Sequence, residues 1–143
     1  MAVASGMTHV LETGFEILHT DNPNGSPSVR GYNIINGELR SASDGEAFES
    51  RNPAWLEDCL GVFPQSTKED VHDALSSARE AFAEWSMTPA PSRGQIIGNM
   101  GRLLMEYKDD IVRVETREIG KTLKESAGSV QEAIDTCLFF QSE

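Results

Sequence analysis

The sequence predicts an α+β chain in which short β-hairpins come first and an antiparallel set of helices follows. Three observations carry that prediction. Turn formers and short strand-like runs crowd residues 32–64, a helix-start signal stands at Ser66, and apolar residues recur at three- and four-residue spacing from there onward.

Residues 1–31 read as a flexible N-terminal arm, because the run from Asp21 to Ser28 (Asp-Asn-Pro-Asn-Gly-Ser-Pro-Ser) interrupts any continuous element. Residues 32–64 read as a hairpin and strand region. Tyr32 to Ile35 and Glu38 to Arg40 flank Asn36-Gly37, the dipeptide that best tolerates the positive φ angles of a type I′ turn. A second pair, Ala47 to Arg51 and Leu60 to Phe63, is separated by Asn52-Pro53-Ala54-Trp55, where the proline ends pairing.

Residues 65–143 read as helical. Ser66 with Glu69 three residues on has the form of a capping box, so a first helix is expected to about Trp85, its buried stripe being Val71, Ala74, Leu75, Ala78 and Phe82. Thr88-Pro89-Ala90-Pro91 breaks it, since proline lacks the N–H donor and disfavours helical geometry in the residue before it. A second helix from near Ser92 carries Ile96, Ile97, Met100, Leu103 and Leu104 on one face, and Ile111, Val112, Val114 and Ile119 extend the pattern past Lys108-Asp109-Asp110, with or without a kink. Gly120 fits a helix C-cap. In the last stretch Val130, Ala133, Ile134, Cys137 and Leu138 keep helical spacing with neither Gly, Asn nor Pro following, so the chain is expected to be the opening of something longer.

Composition excludes more than it assigns. A formal charge of −11 argues against nucleic acid, whose phosphates draw affinity from clustered Lys and Arg. No segment approaches the length of a membrane span, and no apolar leader precedes the first basic residue, Arg30. Two cysteines without CxxC spacing favour a cytoplasmic protein with reduced thiols and no structural zinc.

The motifs that invite chemistry are weak. Gly120-Lys121-Thr122 resembles the end of a phosphate-binding loop, but the earlier glycine of that motif would fall at Glu115, inside a helical pattern. Gly94, Gly98 and Gly101 follow no strand and fit close helix packing better than a nucleotide turn. Cys59 sits beside Glu57 and Asp58, whose charges disfavour a thiolate nucleophile, and Cys137 lies on an apolar stripe. His9, His19 and His72 have no partners spaced for a triad or a metal. Ser129, Glu132 and Thr136 recur at helical spacing beside the last apolar stripe, either as a functional polar face or as a solvated one.

Taken in order, Ile35-Asn36-Gly37-Glu38, Asn52-Pro53-Ala54, and Ala78-Arg79-Glu80-Ala81-Phe82 through Trp85 resemble the amino-terminal region of aldehyde dehydrogenases. Pro91-Ser92-Arg93-Gly94-Gln95-Ile96, Glu115-Thr116-Arg117-Glu118-Ile119-Gly120-Lys121 and Val130-Gln131-Glu132-Ala133-Ile134-Asp135 look like that family's successive helices. The order of the pieces is more specific than any one of them. Thr122 departs from the proline usual after Gly-Lys, which leaves the start of the last helix less rigid.

The resemblance implies an α/β parent enzyme with a Rossmann-like cofactor domain, a homo-oligomer that oxidises an aldehyde with NAD or NADP. It also implies that the family's catalytic Cys, general-base Glu and cofactor-binding glycine turn belong to later segments, so that the helical part stops before the parallel sheet. No catalytic, cofactor-binding or metal residue is therefore assigned, and the 143-residue chain alone is expected to bind no dinucleotide. Ser129, Glu132 and Thr136 would line the substrate tunnel. The wording is closest to the aminoadipate-semialdehyde branch, where Glu132 would meet a substrate amine. An acidic side chain at the Glu118 position binds a monovalent cation in some members with carbonyls near Ser50 and Arg51, but the remaining ligands belong to later segments. The alternative is a non-catalytic helical interaction module that keeps the scaffold.

Overall fold

The computed structural model describes residues 15–18 and 28–142. They fall into two compact units, one within Met1–Phe82 and one within Ala83–Glu143.

The first unit opens with strands β1 (Phe15–Leu18) and β2 (Ser28–Gly31), then β3 (Asn33–Ile35), β4 (Glu38–Arg40), β5 (Ala47–Arg51) and β6 (Cys59–Pro64). Asn36 and Gly37 take φ angles of 54° and 75°, which closes β3 and β4 into the expected two-residue hairpin with Ile35 opposite Glu38. The expected β5/β6 pairing is antiparallel, Phe48 opposite Phe63 with ring centroids 6.0 Å apart, and a bulge falls between Ser50 and Arg51.

Two parts of the segment expected to be a loose arm, β1 and β2, are instead strands. They join β6 and β5 in one sheet of order β1-β2-β6-β5, with β2 parallel to β6. The parallel pair brings backbones close: a Cβ on Gly61 would meet the Val29 carbonyl oxygen at 2.5 Å. Pairing across some thirty residues leaves no local signature, so turn-forming composition alone pointed the wrong way.

Helix α1 (Lys68–Met87) begins one residue from where the sequence pattern placed it. The cap is Thr67 with Asp70, not Ser66 with Glu69: Thr67 N–H donates to Asp70 Oδ2 at 2.7 Å and Asp70 N–H donates to Thr67 Oγ1 at 3.3 Å. Both registers satisfy the cap pattern. Ser43 decides between them, its backbone N–H donating to both Asp70 carboxylate oxygens at 3.1 and 3.2 Å. Asp70 is buried, and the Thr67 backbone N–H above all, with the Ser43 N–H, holds its carboxyl below the usual range against the opposing effect of desolvation.

The expected buried stripe of α1 is not buried: Val71, Leu75 and Phe82 are 53%, 56% and 64% exposed. Periodicity identifies an apolar face, but burial needs a second layer, and none of the described residues covers this one.

In the second unit, α2 (Ala90–Glu106), α3 (Lys108–Ile119) and α4 (Leu123–Phe140) form a helical hairpin with one bent arm. Pro91 lies in the first turn of α2, and Arg93 Nη1 donates back to the Thr88 carbonyl at 2.7 Å across the proline break. Tyr107, at φ −98° and ψ 14°, separates α2 from α3. Both then run antiparallel to α4: Gly101 faces Cys137 and Gly94 faces Gln141, while Thr116 bonds Ser126 and Lys108 bonds Gln131.

The face of α2 that meets α4 is made of Gly94, Gly98 and Gly101, all buried, whereas Ile96, Met100 and Leu103 of the expected apolar face are about half exposed. A Cβ on Gly101 would lie 2.9 Å from the Cys137 Cβ, so the helices touch because side chains are missing there. Further along, Val112, Val130 and Ile134 form the core with Leu104, Ile111 and Ala127 packed around them.

Candidate functional site

The site suggested by the sequence lies on α4, and the chain fixes the start of that helix tightly. Gly120 ends α3 in the left-handed region at φ 80°, where a side chain would be strained, and its N–H donates to the Thr116 carbonyl. Two residues later Thr122 caps α4: Glu125 N–H donates to Thr122 Oγ1 at 3.3 Å, and Thr122 N–H donates to Glu125 Oε2 at 3.0 Å. That reciprocal box corrects the expectation that Thr122 loosens the helix start. The Thr122 backbone N–H, then its hydroxyl, holds the Glu125 carboxyl below its ordinary range.

The buried side of α4 is Ser126, Val130, Ile134 and Cys137; Ala133 and Leu138, expected on that stripe, are exposed. Ser126 is fully buried and accepts a hydrogen bond from Thr116 Oγ1 at 3.0 Å, so the hydroxyl inside the interface is satisfied. α4 continues only to Phe140, short of the chain end to which the sequence pattern runs.

The three sequence candidates separate. Glu132 and Thr136 are exposed and share an open depression of about 550 Å³ with Gly128, Gln131, Asp135, Phe139 and Phe140. Ser129 does not line it. Its hydroxyl accepts a hydrogen bond from Lys121 Nζ at 2.9 Å, and the same ammonium is 2.8 Å from Glu115 Oε1. Lys121, discarded from the sequence as a phosphate ligand and kept there as part of the family-like segment Glu115 to Lys121, joins the end of α3 to the first half of α4.

A second lysine does the same lower down. Lys108 Nζ donates to Gln131 Oε1 at 2.6 Å, and Gln131 Nε2 donates to Asp135 Oδ1 at 2.8 Å. The i, i+4 spacing of Gln131 and Asp135 is visible in the sequence, but the lysine that reaches across is not. These contacts hold α4 in rotation about its axis, which keeps Glu132 and Thr136 outward. Chemically the depression combines the apolar rings of Phe139 and Phe140 with two carboxylates, Glu132 and Asp135, the Thr136 hydroxyl and the Gln131 amide.

Elsewhere the candidates stay apart. Glu118 and His72 are exposed, and His9 and His19 lie outside the described residues. Among the described residues no group of three or more His, Cys, Asp or Glu is placed to share a metal ion, and no helix is long and apolar enough to cross a membrane. Asp58, fully buried, receives Asn52 Nδ2 at 3.1 Å inside the turn before β6.

Comparison with known proteins gives one consistent result. Residues 40–143 match the family model described as the aldehyde dehydrogenase family. The α-ketoglutarate semialdehyde dehydrogenase of Haloferax volcanii is 38% identical over 111 residues, 78% of this chain and 23% of that protein. The NADP(+) succinate-semialdehyde dehydrogenase GabD of Escherichia coli is 35% identical over 120 residues, 84% of this chain and 25% of the relative. Among solved structures, an NADP dependent enzyme of E. coli superposes with a TM-score of 0.75 at 34% identity, over 79% of this chain and 23% of that one. A variant of betaine aldehyde dehydrogenase from Staphylococcus aureus, in complex with NAD+, superposes at 0.74 and 26% identity, over 78% and 22%. The chain thus spans about a quarter of the length of the curated relatives it matches.

Proposed function

The chain belongs to the aldehyde dehydrogenase family, and from that membership we propose that it is the amino-terminal portion of an NAD(P)-dependent enzyme oxidising an aldehyde to a carboxylic acid. The observation that carries the reading is the continuous match over residues 40–143, supported by relatives about four times as long that are named for this chemistry. In such a reaction a thiolate adds to the aldehyde, hydride passes to the nicotinamide, and activated water releases the acid. The described residues contribute none of those groups in this reading; they contribute scaffold and one wall. Purified 1–143 should reduce neither NAD nor NADP with any aldehyde, while the complete gene product should reduce one of them; turnover by 1–143 alone would sink the division of labour.

Within that role α4 is the wall of the substrate passage, with Glu132 and Thr136 facing the substrate and Ser129 anchored behind them by Lys121. The exposed carboxylate of Glu132 favours an aldehyde with a cationic far end. A second reading has a specific support: the relatives are named for malonate-, succinate- and α-ketoglutarate semialdehydes, whose far ends are carboxylates that Glu132 would repel.

The two readings separate on Glu132→Gln in the complete enzyme. An amino-aldehyde substrate should lose about tenfold or more in kcat/KM, the effect of one charged hydrogen bond of roughly 1.5–3 kcal/mol. A carboxylate semialdehyde should instead gain, and a neutral aldehyde should barely change. Unchanged kcat/KM across all three would remove Glu132 from substrate selection.

A further inference from the structure

We propose that Asn36 is a deamidation site of the folded chain, converting spontaneously to aspartate and isoaspartate. In this reaction the Gly37 backbone nitrogen attacks Asn36 Cγ, forming a C–N bond and a five-membered succinimide while the side-chain nitrogen leaves as ammonia. Water then opens the ring at either carbonyl: one opening gives aspartate, and the other routes the main chain through the side-chain carbon and gives isoaspartate. Water is the only co-reactant, and nothing is oxidised or reduced.

The local structure favours each requirement. Gly37 has no side chain to shield its nitrogen, and even a Cβ built there would meet no atom within 4 Å. Both turn residues are exposed, and among the described residues the Asn36 amide has no hydrogen-bond partner to hold it. The ladder passes directly from the Ile35/Glu38 pair, leaving the Gly37 N–H outside it. The turn must open for nitrogen to reach Cγ, and little backbone pairing opposes that: β3 and β4 form a separate sheet of two three-residue strands, held to their surroundings by Ile35 in the core, by Ser66 on Asn33 at 3.0 Å and by Asp73 beside Arg40 at 3.8 Å.

The two products differ in consequence. Aspartate keeps the turn, because Asp-Gly also tolerates positive φ at both positions, but it adds a negative charge to a cleft already lined by Asp73 and Glu80 beside Arg40. Isoaspartate inserts an extra main-chain carbon into a two-residue loop. The pairing of Ile35 with Glu38 is then lost, and Ile35, only 6% exposed, is released from the core.

The test is to incubate the whole chain in warm, mildly alkaline buffer and digest it after Arg30 and Arg40. The peptide 31–40 isolates Asn36 from the chain's other Asn-Gly pair, Asn24-Gly25. Tandem mass spectrometry should place the amide-to-acid mass gain on Asn36, and isoaspartyl methyltransferase should label the same peptide. The rate should fall within about tenfold of that in a synthetic 31–40 peptide, as expected when local opening is easy. Asn36→Gly, which keeps positive φ without the amide, should abolish both signals. Slower conversion than that, or a signal persisting in Asn36→Gly, overturns the proposal.

Discussion

Adding a single methyl group should stabilise the second unit at one of its helical glycines and not at another. Gly128 sits in α4 with nothing within 4 Å of a built Cβ, so Gly128→Ala gains only helix propensity, about 0.8–1 kcal/mol. Gly101 sits in α2 with the Cys137 Cβ at 2.9 Å, Leu138 Cδ2 at 3.5 Å and the Ile134 carbonyl oxygen at 3.7 Å from the same added atom. Ordinary carbon–carbon contact is roughly 3.5–4.0 Å, so α2 and α4 must separate by about 0.6–1 Å. The obstacle is a Cβ fixed to the main chain, which cannot rotate away. Overpacking of this kind costs about 1–3 kcal/mol, which cancels or exceeds the propensity gain. Gly101→Ala should therefore be neutral to about 2 kcal/mol destabilised, and the two variants should differ by roughly 1–3 kcal/mol.

Urea unfolding followed by far-ultraviolet circular dichroism measures this directly, provided the slopes agree. At a slope of about 1–2 kcal/mol per molar urea, the midpoints should differ by on the order of 1 M. Gly98→Ala is the internal control, since its nearest obstacle is the flexible Gln141 side chain, and it should fall between the two. If Gly101→Ala raises the midpoint as much as Gly128→Ala does, α2 and α4 are not held together at the glycine stripe.

Other outcomes follow from named contacts. Ile134→Ala removes a side chain that is 1% exposed at the centre of the helical core, and calorimetry should find a loss of about 2–5 kcal/mol. Thr122→Ala removes the hydroxyl that accepts from Glu125 N–H and should cost about 0.5–2 kcal/mol; an unchanged Tm would mean the cap contributes nothing. Asp70 and Glu125 both have folded-state pKa values lowered below the unfolded ones, so their contribution is present above the ordinary carboxylate range and is lost as pH falls through the lowered values. Urea midpoints should accordingly fall below about pH 4, and Asp70→Asn should flatten that acid limb; an unaltered limb would count against the Thr67–Asp70–Ser43 clamp. Val71, Leu75, Phe82, Phe139 and Phe140 are all more than half exposed, so sedimentation should show association growing with concentration, and a monodisperse monomer would contradict it.

Legibility followed the range of the interaction. The Asn36-Gly37 turn, the break at Thr88 to Pro91, the Gly120 cap and the helical character of residues 123–140 depend on the backbone preferences of neighbouring residues, and all were readable. The cap of α1 shows where local reading ends. Ser66/Glu69 and Thr67/Asp70 are equivalent as patterns, and the distant Ser43 N–H selects the second. For α2 the expected apolar face was right in part: Leu104 packs against the core and the glycines make the close approach, but Ile96, Met100 and Leu103 are half exposed, because periodicity does not say which apolar residues find a partner.

By itself, then, the sequence determined the family, the strands-then-helices order and the helical character of the last stretch, because motif order and short-range stereochemistry survive without coordinates. Tertiary structure alone decided that β2 lies parallel to β6, that α4 is the partner of the glycines marked for close packing, and that Lys121 takes Ser129 while Glu132 and Thr136 stay outward. The physical reason is the same in each case. Which of several locally acceptable faces is used depends on a partner distant in sequence, and helical spacing does not encode that partner.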